Sequence, residues 1–561
     1  MHGTVRTAYF WAAIVAIGGF LFGFDAVVIS GVVGFVTPEF NLSDFQIGMV
    51  VAAPSFAGIA AAVSVGTIAD AIGRKRVLLF LSLLYTVSAA WSALATSFET
   101  LVIARAIGGF AFGSLGLAPI YISEIAPPEK RGQLVSFNQF NIVLGFAVAY
   151  FANYYILQLS QSGMPWVQAI GLDVYAWRYM LAVGALPAFF WIFALLFVPE
   201  SPRWLALHGQ EAKARAIFEK LVPKDQVSAL LDEIRSSAGI SAAPLAIRLK
   251  ELLTPRLRFV LGVGLAIATA QQITGINAVY FYAPTIFEQS GVGRDTAFAQ
   301  AAFIGVTNVV VTIIAMLLID RIGRRPLLLI GILGVTLSMA TISYGFHKAR
   351  YTIDANSVAA LTLTSGTADL AGIATMQDKV FANDLAFKMA VRQVIGEAAF
   401  RKHESKIMQQ ASKLDPLLIL FGILGFVASF AFSLGPVMWV MLPEIYPNAV
   451  RGVAMAAVGF VNAIVSWGVQ QFFPTMLNSL GSTWVFGIYG AFGLLFLIIF
   501  MFILPETKGR TLEELEDELV NNRARTYCVG EYWVPGRFAD SLRKTYRSHL
   551  TLSRWRWHLV I

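Results

Sequence analysis

Twelve stretches of this 561-residue chain are apolar for roughly twenty residues or more, and that pattern narrows its possible folds more than any other property. They fall at about 9–34, 46–69, 77–97, 101–122, 134–157, 177–198, 259–287, 297–319, 327–346, 416–441, 453–474 and 482–504. A hydrocarbon layer about 30 Å thick is crossed by about 20 apolar residues in a helix. Inside that layer the backbone must satisfy its own hydrogen bonds, so each stretch is expected to be a membrane-spanning α-helix. Composition agrees: 14% of residues are charged, against about 25% in soluble domains. The N-terminus, with Arg6 ahead of an apolar run from Ala8, resembles a signal peptide. The run is long and lacks a clear small-residue cleavage site, so it is assigned as the first span.

The formal net charge of +8 does not point to nucleic acid, because basic residues of membrane proteins collect in cytoplasmic loops. The loops after spans two, four, eight and ten hold Arg74, Lys75, Arg76, Lys130, Arg131, Arg321, Arg324, Arg325 and Arg451, whereas the short loops of opposite parity hold only Arg294. That asymmetry places both termini in the cytoplasm of a plasma (inner) membrane protein. The single cysteine, Cys528, excludes an intrachain disulfide and a thiolate metal cluster. There is no Walker motif, nucleophile elbow or intramembrane histidine cluster, so the sequence predicts no nucleotide, no cofactor and no enzyme chemistry.

The chain repeats. Ala69-Asp70-Ala71-Ile72-Gly73-Arg74-Lys75-Arg76 matches Ile319-Asp320-Arg321-Ile322-Gly323-Arg324-Arg325-Pro326, 250 positions later. Glu124-Ile125-Ala126-Pro127 with Arg131 matches Glu444-Ile445-Tyr446-Pro447 with Arg451, 320 positions later. Two six-helix halves explain this, with about 70 extra residues in the second. The expected organisation is a first bundle at 1–198, a linker with short helices at 199–258, a second bundle at 259–505 and a tail at 506–561. The second bundle carries an extracytoplasmic insert at 347–414, whose stretch Phe381–Glu397 is patterned like a helix. A capping box at Thr511-Leu512-Glu513-Glu514 predicts a short helix in the tail. Beyond Cys528 the tail is basic and aromatic (Trp533, Arg543, Arg554, Trp555, Arg556, Trp557), a composition suited to an anionic leaflet or to disorder.

Several polar residues stand where hydrocarbon makes them costly. Gln271, Gln272 and Asn277 lie in the seventh apolar run, in Gln271-Gln272-Ile273-Thr274-Gly275-Ile276-Asn277. A buried amide without partners costs a few kcal/mol. On an ideal helix Gln272 and Asn277 stand about 140° apart, so unwinding near Thr274-Gly275 is expected to turn both toward one cavity. Broken helices with polar groups at mid-depth are how transporters build solute sites; the competing reading is interhelical glue. Asp25 and Arg105, in the first and fourth runs, are charges expected to pair. Deprotonated Asp25 would hold Arg105, and protonation would release it. Asp70, Arg74, Glu124, Arg131 and Glu200 in one half, with Asp320, Arg324, Glu444, Arg451 and Glu506 in the other, are expected to form a breakable ion-pair gate on the cytoplasmic side. Phe22, Phe24, Tyr280, Phe281 and Tyr282 are the candidate apolar gate on the outer side.

Together the motifs resemble the sugar porter family of the major facilitator superfamily. They are the paired GRKR and GRRP loops, PESPR at 199–203, QQxxGxN at 271–277, GPVMW at 435–439 and PETKGR at 505–510. The resemblance covers about Gly18 to Leu515, leaving out the insert. It implies an all-α membrane protein of twelve transmembrane helices in two pseudo-symmetric six-helix bundles that rock about a central monosaccharide site. It assigns sugar contacts to Gln139, Gln271, Gln272, Asn277, Asn308, Trp439 and Asn462, with interhelical bonding still open for Asn308 and Asn462 and a membrane-interface position for Trp439. Carboxamides suit sugar hydroxyls because both donate and accept, and a Trp face suits the C–H side of a sugar ring. Gly435-Pro436 is expected to break the tenth helix. Proton-coupled members carry an acid where Asp25 stands, so the resemblance implies a monosaccharide/proton symporter. A facilitative uniporter, a polyol symporter and a transport-dead receptor remain as alternatives.

Overall fold

The computed structural model describes residues 2–127, 130–238, 250–365, 370, 372–447, 450–521, 527–529 and 532–534. Twelve of its helices are long and apolar enough to cross a membrane: Arg6–Glu39, Asp44–Ile72, Arg74–Ala93, Phe98–Ile125, Gly132–Ser160, Ala176–Leu196, Arg258–Gln289, Arg294–Ile322, Arg324–Lys348, Pro416–Ile445, Arg451–Leu480 and Ser482–Ile503. Each apolar run of the sequence has one.

Among the described residues four spans are broken: the fourth, seventh and tenth, and the sixth, which divides into Ala176–Val183 and Ala185–Leu196 at Gly184. The seventh divides into Arg258–Ile273 and Ile276–Gln289, with Gly275 between them at φ 93°. That left-handed conformation is open to glycine and strained for other residues. The tenth divides into Pro416–Phe432 and Leu434–Ile445 around Ser433. Pro436 has no N–H to bond the preceding turn, which explains a break just ahead of it. The fourth divides into Phe98–Ala111 and Ser114–Ile125 at Phe112-Gly113.

The spans pack as two bundles with matching internal contacts. The first packs on the fifth as the seventh packs on the eleventh, and the third packs on the sixth as the ninth packs on the twelfth. One end of the molecule carries the Arg-rich loops and the other carries the insert. The bundles meet toward the insert end, through the second and eleventh spans, the fifth and eighth, and the first with the distal half of the seventh. Gly48 makes one of these approaches possible, since a Cβ there would lie 2.0 Å from the Gln471 carbonyl oxygen. Hydrogen bonds across this seam include Gln471 Nε2 to the Phe45 carbonyl at 2.9 Å and Asn478 Nδ2 to Asp44 Oδ1 at 2.9 Å. Gln161 Nε2 to Asp295 Oδ1, at 2.8 Å, adds another. At the basic end, Ser114–Ile125, Arg258–Ile273 and Leu434–Ile445 make their main contacts within their own bundles.

The insert folds as a small unit. Arg350–Thr352 is the centre strand of an antiparallel sheet with Val380–Phe381 and Ser412–Lys413. The patterned stretch contains the helix Asp384–Ile395, and a further helix spans Glu397–Ala411. Tyr351, Phe387, Phe400, Ile407 and Met408 are buried in its own core. Asp384 anchors it by accepting bonds from the Ser482 N–H (2.8 Å) and Oγ (2.7 Å) at the start of the twelfth span. Lys388 pairs with Glu404 at 2.9 Å, and Gln289 of the seventh span donates to the same carboxylate at 3.0 Å. Arg401 donates to the Leu42 carbonyl of the first bundle.

The chain between the two bundles forms the short helices Pro202–Leu207, Glu211–Phe218 and Lys224–Ala238, whose apolar side chains pack with the first bundle. Thr511 caps Leu512–Glu516 in a capping box with Glu514, as its sequence indicates. Tyr527–Val529 and Tyr532–Val534 pair as two strands. Arg543, Arg554, Trp555, Arg556 and Trp557, and the leaflet reading placed on them, lie outside the described residues.

Candidate functional site

The break in the seventh span gathers its three carboxamides. Asn277 Nδ2 donates to Gln272 Oε1 at 2.7 Å, across the five-residue spacing that a continuous helix would hold apart. Gln272 Nε2 donates to Asn462 Oδ1 of the eleventh span at 3.2 Å and to Gln271 Oε1 at 3.3 Å. Asn462 Nδ2 closes the group by donating to Gln271 Oε1 (2.8 Å) and to the Ala268 carbonyl (3.0 Å). Gln271 Nε2 donates to the Leu434 carbonyl at 3.0 Å, beside the break in the tenth span. Two helix breaks and one straight helix therefore converge on four amides. Each amide is buried or half-buried, so the cost of placing it in hydrocarbon is offset by its neighbours.

Three side chains absent from the sequence assignment extend this network. Asn277 Nδ2 also donates to Ser466 Oγ at 2.7 Å, and Gln470 Nε2 donates to the same oxygen at 2.9 Å. Ser55 of the second span donates to Gln470 Oε1 at 2.7 Å. Gln470-Gln471 is a second pair of carboxamides in an apolar run. Unpartnered in hydrocarbon, it would be as costly as Gln271-Gln272.

Other assigned residues stand apart. Gln139 is half-buried on the fifth span and Asn308 is buried on the eighth. Neither makes a side-chain hydrogen bond to a described residue. Trp439 is 46% exposed on the tenth span, one turn beyond Gly435. The aromatic residues do not form one cluster. Phe22 packs edge-on against Phe112, and Phe24 stacks on Phe20, both within the first bundle. Tyr280 does reach across, its ring edge-on to Phe146 at 5.0 Å and its carbonyl accepting from Tyr150 at 2.6 Å. Tyr282 faces Phe473 of its own bundle, and Phe281 is buried.

Asp25 and Arg105 meet within the first bundle, with Nη1 to Oδ1 at 3.1 Å and a second bond from Nη1 to the Asp25 carbonyl at 3.2 Å. Arg105 is 1% exposed. The pairing is incomplete, because Asp25 Oδ2 and Arg105 Nε are buried without protein partners. A carboxylate held by one N–H, with its second oxygen unengaged, has a place for a proton.

At the basic end the charged residues form two matching sets. Arg74 bridges Asp70 (2.8 Å) and Glu124 (3.2 Å), and Arg324 bridges Asp320 (3.1 Å) and Glu444 (2.9 Å). Glu200 accepts the N–H groups of Arg74 and Lys75, and Glu506 accepts those of Arg324 and Arg325. These acids thus cap the starts of the third and ninth spans, where a helix favours negative charge. Arg451 donates to the Tyr446 carbonyl. The side chain of Arg131 is outside the described set. Among the described residues every one of these pairs lies within one bundle.

Twelve spans in two repeat-related bundles, with amides gathered at helix breaks in the second, define a transporter of the major facilitator superfamily. The sequence profile of the sugar (and other) transporter family matches residues 11–368 and 386–519, interrupted only inside the insert. The arabinose-proton symporter of Bacillus subtilis (strain 168) is 32% identical over 89% of this chain and 92% of that protein. The D-xylose-proton symporter of Escherichia coli (strain K12) is 32% identical over 90% of this chain and 94% of its own length. The inward-open structure of the xylose transporter XylE from E. coli superposes with a TM-score of 0.68 at 29% identity, over 90% of this chain and 98% of that one. The xylose symporter bound to 6-bromo-6-deoxy-D-glucose gives 0.65 at 30% identity, over 92% and 100%. The chain belongs to the sugar (and other) transporter family. It is an integral, multi-pass membrane protein and a carrier, not an enzyme.

Proposed function

We propose that this protein takes up a monosaccharide together with a proton by alternating access, with its basic end and both termini in the cytoplasm. The observation that carries the reading is the four-amide group of Gln271, Gln272, Asn277 and Asn462 at two helix breaks. Amides offer both donors and acceptors to hydroxyls, and a break lets them be aimed into one space. Gln139, Asn308 and Trp439 complete the sugar contacts in this reading. Among the described residues Gln139 and Asn308 have no side-chain hydrogen bonds to give up, and the open face of Trp439 is suited to the C–H side of a pyranose. Similarity to arabinose- and xylose-proton symporters supports the substrate class and the coupling ion. Asp25 is the proton carrier. Its protonation weakens the hold on Arg105 and lets the first bundle shift.

In the same reading the two charged sets at the basic end close on each other when the insert end opens, exchanging their internal pairs for pairs between bundles. Tyr280 serves the opposite seam, and Phe22, Phe24, Phe281 and Tyr282 pack behind it.

A panel of radiolabelled sugars presented to the reconstituted protein tests the site. At least one pentose or hexose should enter, and Gln272→Ala should raise its half-saturating concentration by roughly tenfold or more, since its partners lose buried hydrogen bonds worth about 1–3 kcal/mol. Uptake unaffected by Gln272→Ala would contradict the site.

A further inference from the structure

Among the described residues, one path of hydrogen bonds joins the amides of the second bundle to the first bundle. Asn462, Ser466 and Gln470 recur every four residues, so they share a face of the eleventh span. Along that face hydrogen bonds run from Asn277 to Ser466 at 2.7 Å, from Gln470 to Ser466 at 2.9 Å, and from Ser55 to Gln470 at 2.7 Å. Gln470 is 1% exposed, and both ends of its amide are engaged. The Gln470 backbone carbonyl also accepts from Tyr282 Oη at 3.0 Å. Tyr282 is where the distal half of the seventh span kinks, with φ −122° and ψ 18°. Gln470 thus touches the amide network, the kinked segment and the opposite bundle. The bonds from Gln471, Asn478 and Gln161 also cross the seam, but none of them reaches the amides.

We propose that Ser466 and Gln470 are positioning residues that couple occupation of the amide site to closure of the insert end. The proposal rests on the reading that Gln272 and Asn277 hold the sugar. Both N–H groups of Asn277 are committed, one to Gln272 and one to Ser466, which leaves its oxygen to accept a sugar hydroxyl. A sugar bound there fixes the Asn277 amide. The fixed amide orients Ser466, and Ser466 holds Gln470 with its oxygen toward Ser55. The Ser55–Gln470 bond joins residues of different bundles, so it exists only when the insert end is shut. A ligand that favours this orientation therefore favours the shut state by its differential affinity alone. One neutral buried hydrogen bond is worth roughly a fivefold change in such an equilibrium.

The test uses full-length protein in lipid nanodiscs with Cys528→Ser and a reporter cysteine, Thr285→Cys. Thr285 lies on the seventh span and lines the cavity beneath the insert. The rate of labelling by a polar thiol reagent is measured with and without the transported sugar, and equilibrium sugar binding is measured on the same samples. In the reference protein, sugar should slow labelling by roughly fivefold. In Gln470→Leu and in Ser55→Ala the slowing should fall below about twofold, while the sugar dissociation constant stays within about threefold. Ser55→Ala removes only a hydroxyl at the seam, so it decides the matter if Gln470→Leu is poorly folded. Undiminished slowing in Ser55→Ala would overturn the coupling, as would no slowing in the reference protein. Normal sugar binding by Gln272→Ala would instead overturn the site reading beneath it.

Discussion

Gly275 is the residue on which the site geometry turns. At φ 93° it permits the break that brings Gln272 and Asn277 together, and a Cβ there would lie 2.7 Å from Tyr489 Cδ2. Gly275→Ala should cost about 1–3 kcal/mol through the strained backbone conformation, with a further loss from the ring clash. A lower melting temperature and weaker sugar binding should appear together, the first by thermal unfolding in detergent and the second by equilibrium binding. An unchanged melting temperature would show that the break does not depend on glycine. At this scale the sequence was informative where chemistry and position conflict. Amides beside glycine in an apolar run, and an acid and an arginine in facing runs, identified the amide group and the Asp25–Arg105 pair. It was silent about Ser55 and Ser466, because a serine in a membrane helix can satisfy itself by bonding its own preceding turn. Only the register between the second and eleventh spans shows that Ser55 faces Gln470.

At the scale of elements, the insert is the part least legible in sequence. Its helix at Asp384–Ile395 follows from apolar periodicity, but its three short strands come from separate regions and pair only once the chain has folded. Its docking is electrostatic as well as apolar. Burial works against the charge of Glu404, but the ammonium of Lys388, with the bond from Gln289, outweighs it and holds the carboxyl below the usual range. A carboxyl lowered in the folded state contributes stability that is present above its unfolded value, about 4.3, and is lost as pH falls through the lower folded value. The helix Glu397–Ala411 should therefore keep its amide-exchange protection at neutral pH and lose it only in acid below the ordinary glutamate range. In Lys388→Met burial is left without the opposing ammonium, so protection should fail at higher pH than in wild type. Identical profiles for the two proteins would show that the pair does not hold the insert.

At the scale of the molecule, the repeat in the sequence reappears as packing. Asp70 and Asp320, Glu124 and Glu444, and Glu200 and Glu506 occupy matching places around Arg74 and Arg324. Of these repeated acids, read in the sequence as parts of a gate, Glu200 and Glu506 also cap helices. Sequence offsets show that the motifs correspond, but not which partner each side chain takes. The seam gives a direct handle on motion. Asp44 and Asn478 meet across it at 2.9 Å. In a Cys528→Ser background, oxidising Asp44→Cys with Asn478→Cys should lock the insert end and stop sugar uptake, with recovery on reduction. Full uptake by the oxidised protein would mean that the seam does not open during transport.

The most direct test of proton-coupled sugar uptake is accumulation in proteoliposomes under an inward proton gradient, for wild type and Asp25→Asn. A potential of 100 mV supplies about 2.3 kcal/mol for each proton moved, enough to concentrate the sugar roughly fiftyfold. Wild type should therefore raise internal sugar above the external level, whereas Asp25→Asn should lose accumulation and retain counterflow exchange. Wild-type protein that only equilibrates its sugar, with or without the gradient, would contradict the account and leave Asp25 as a structural partner of Arg105 in a facilitative carrier.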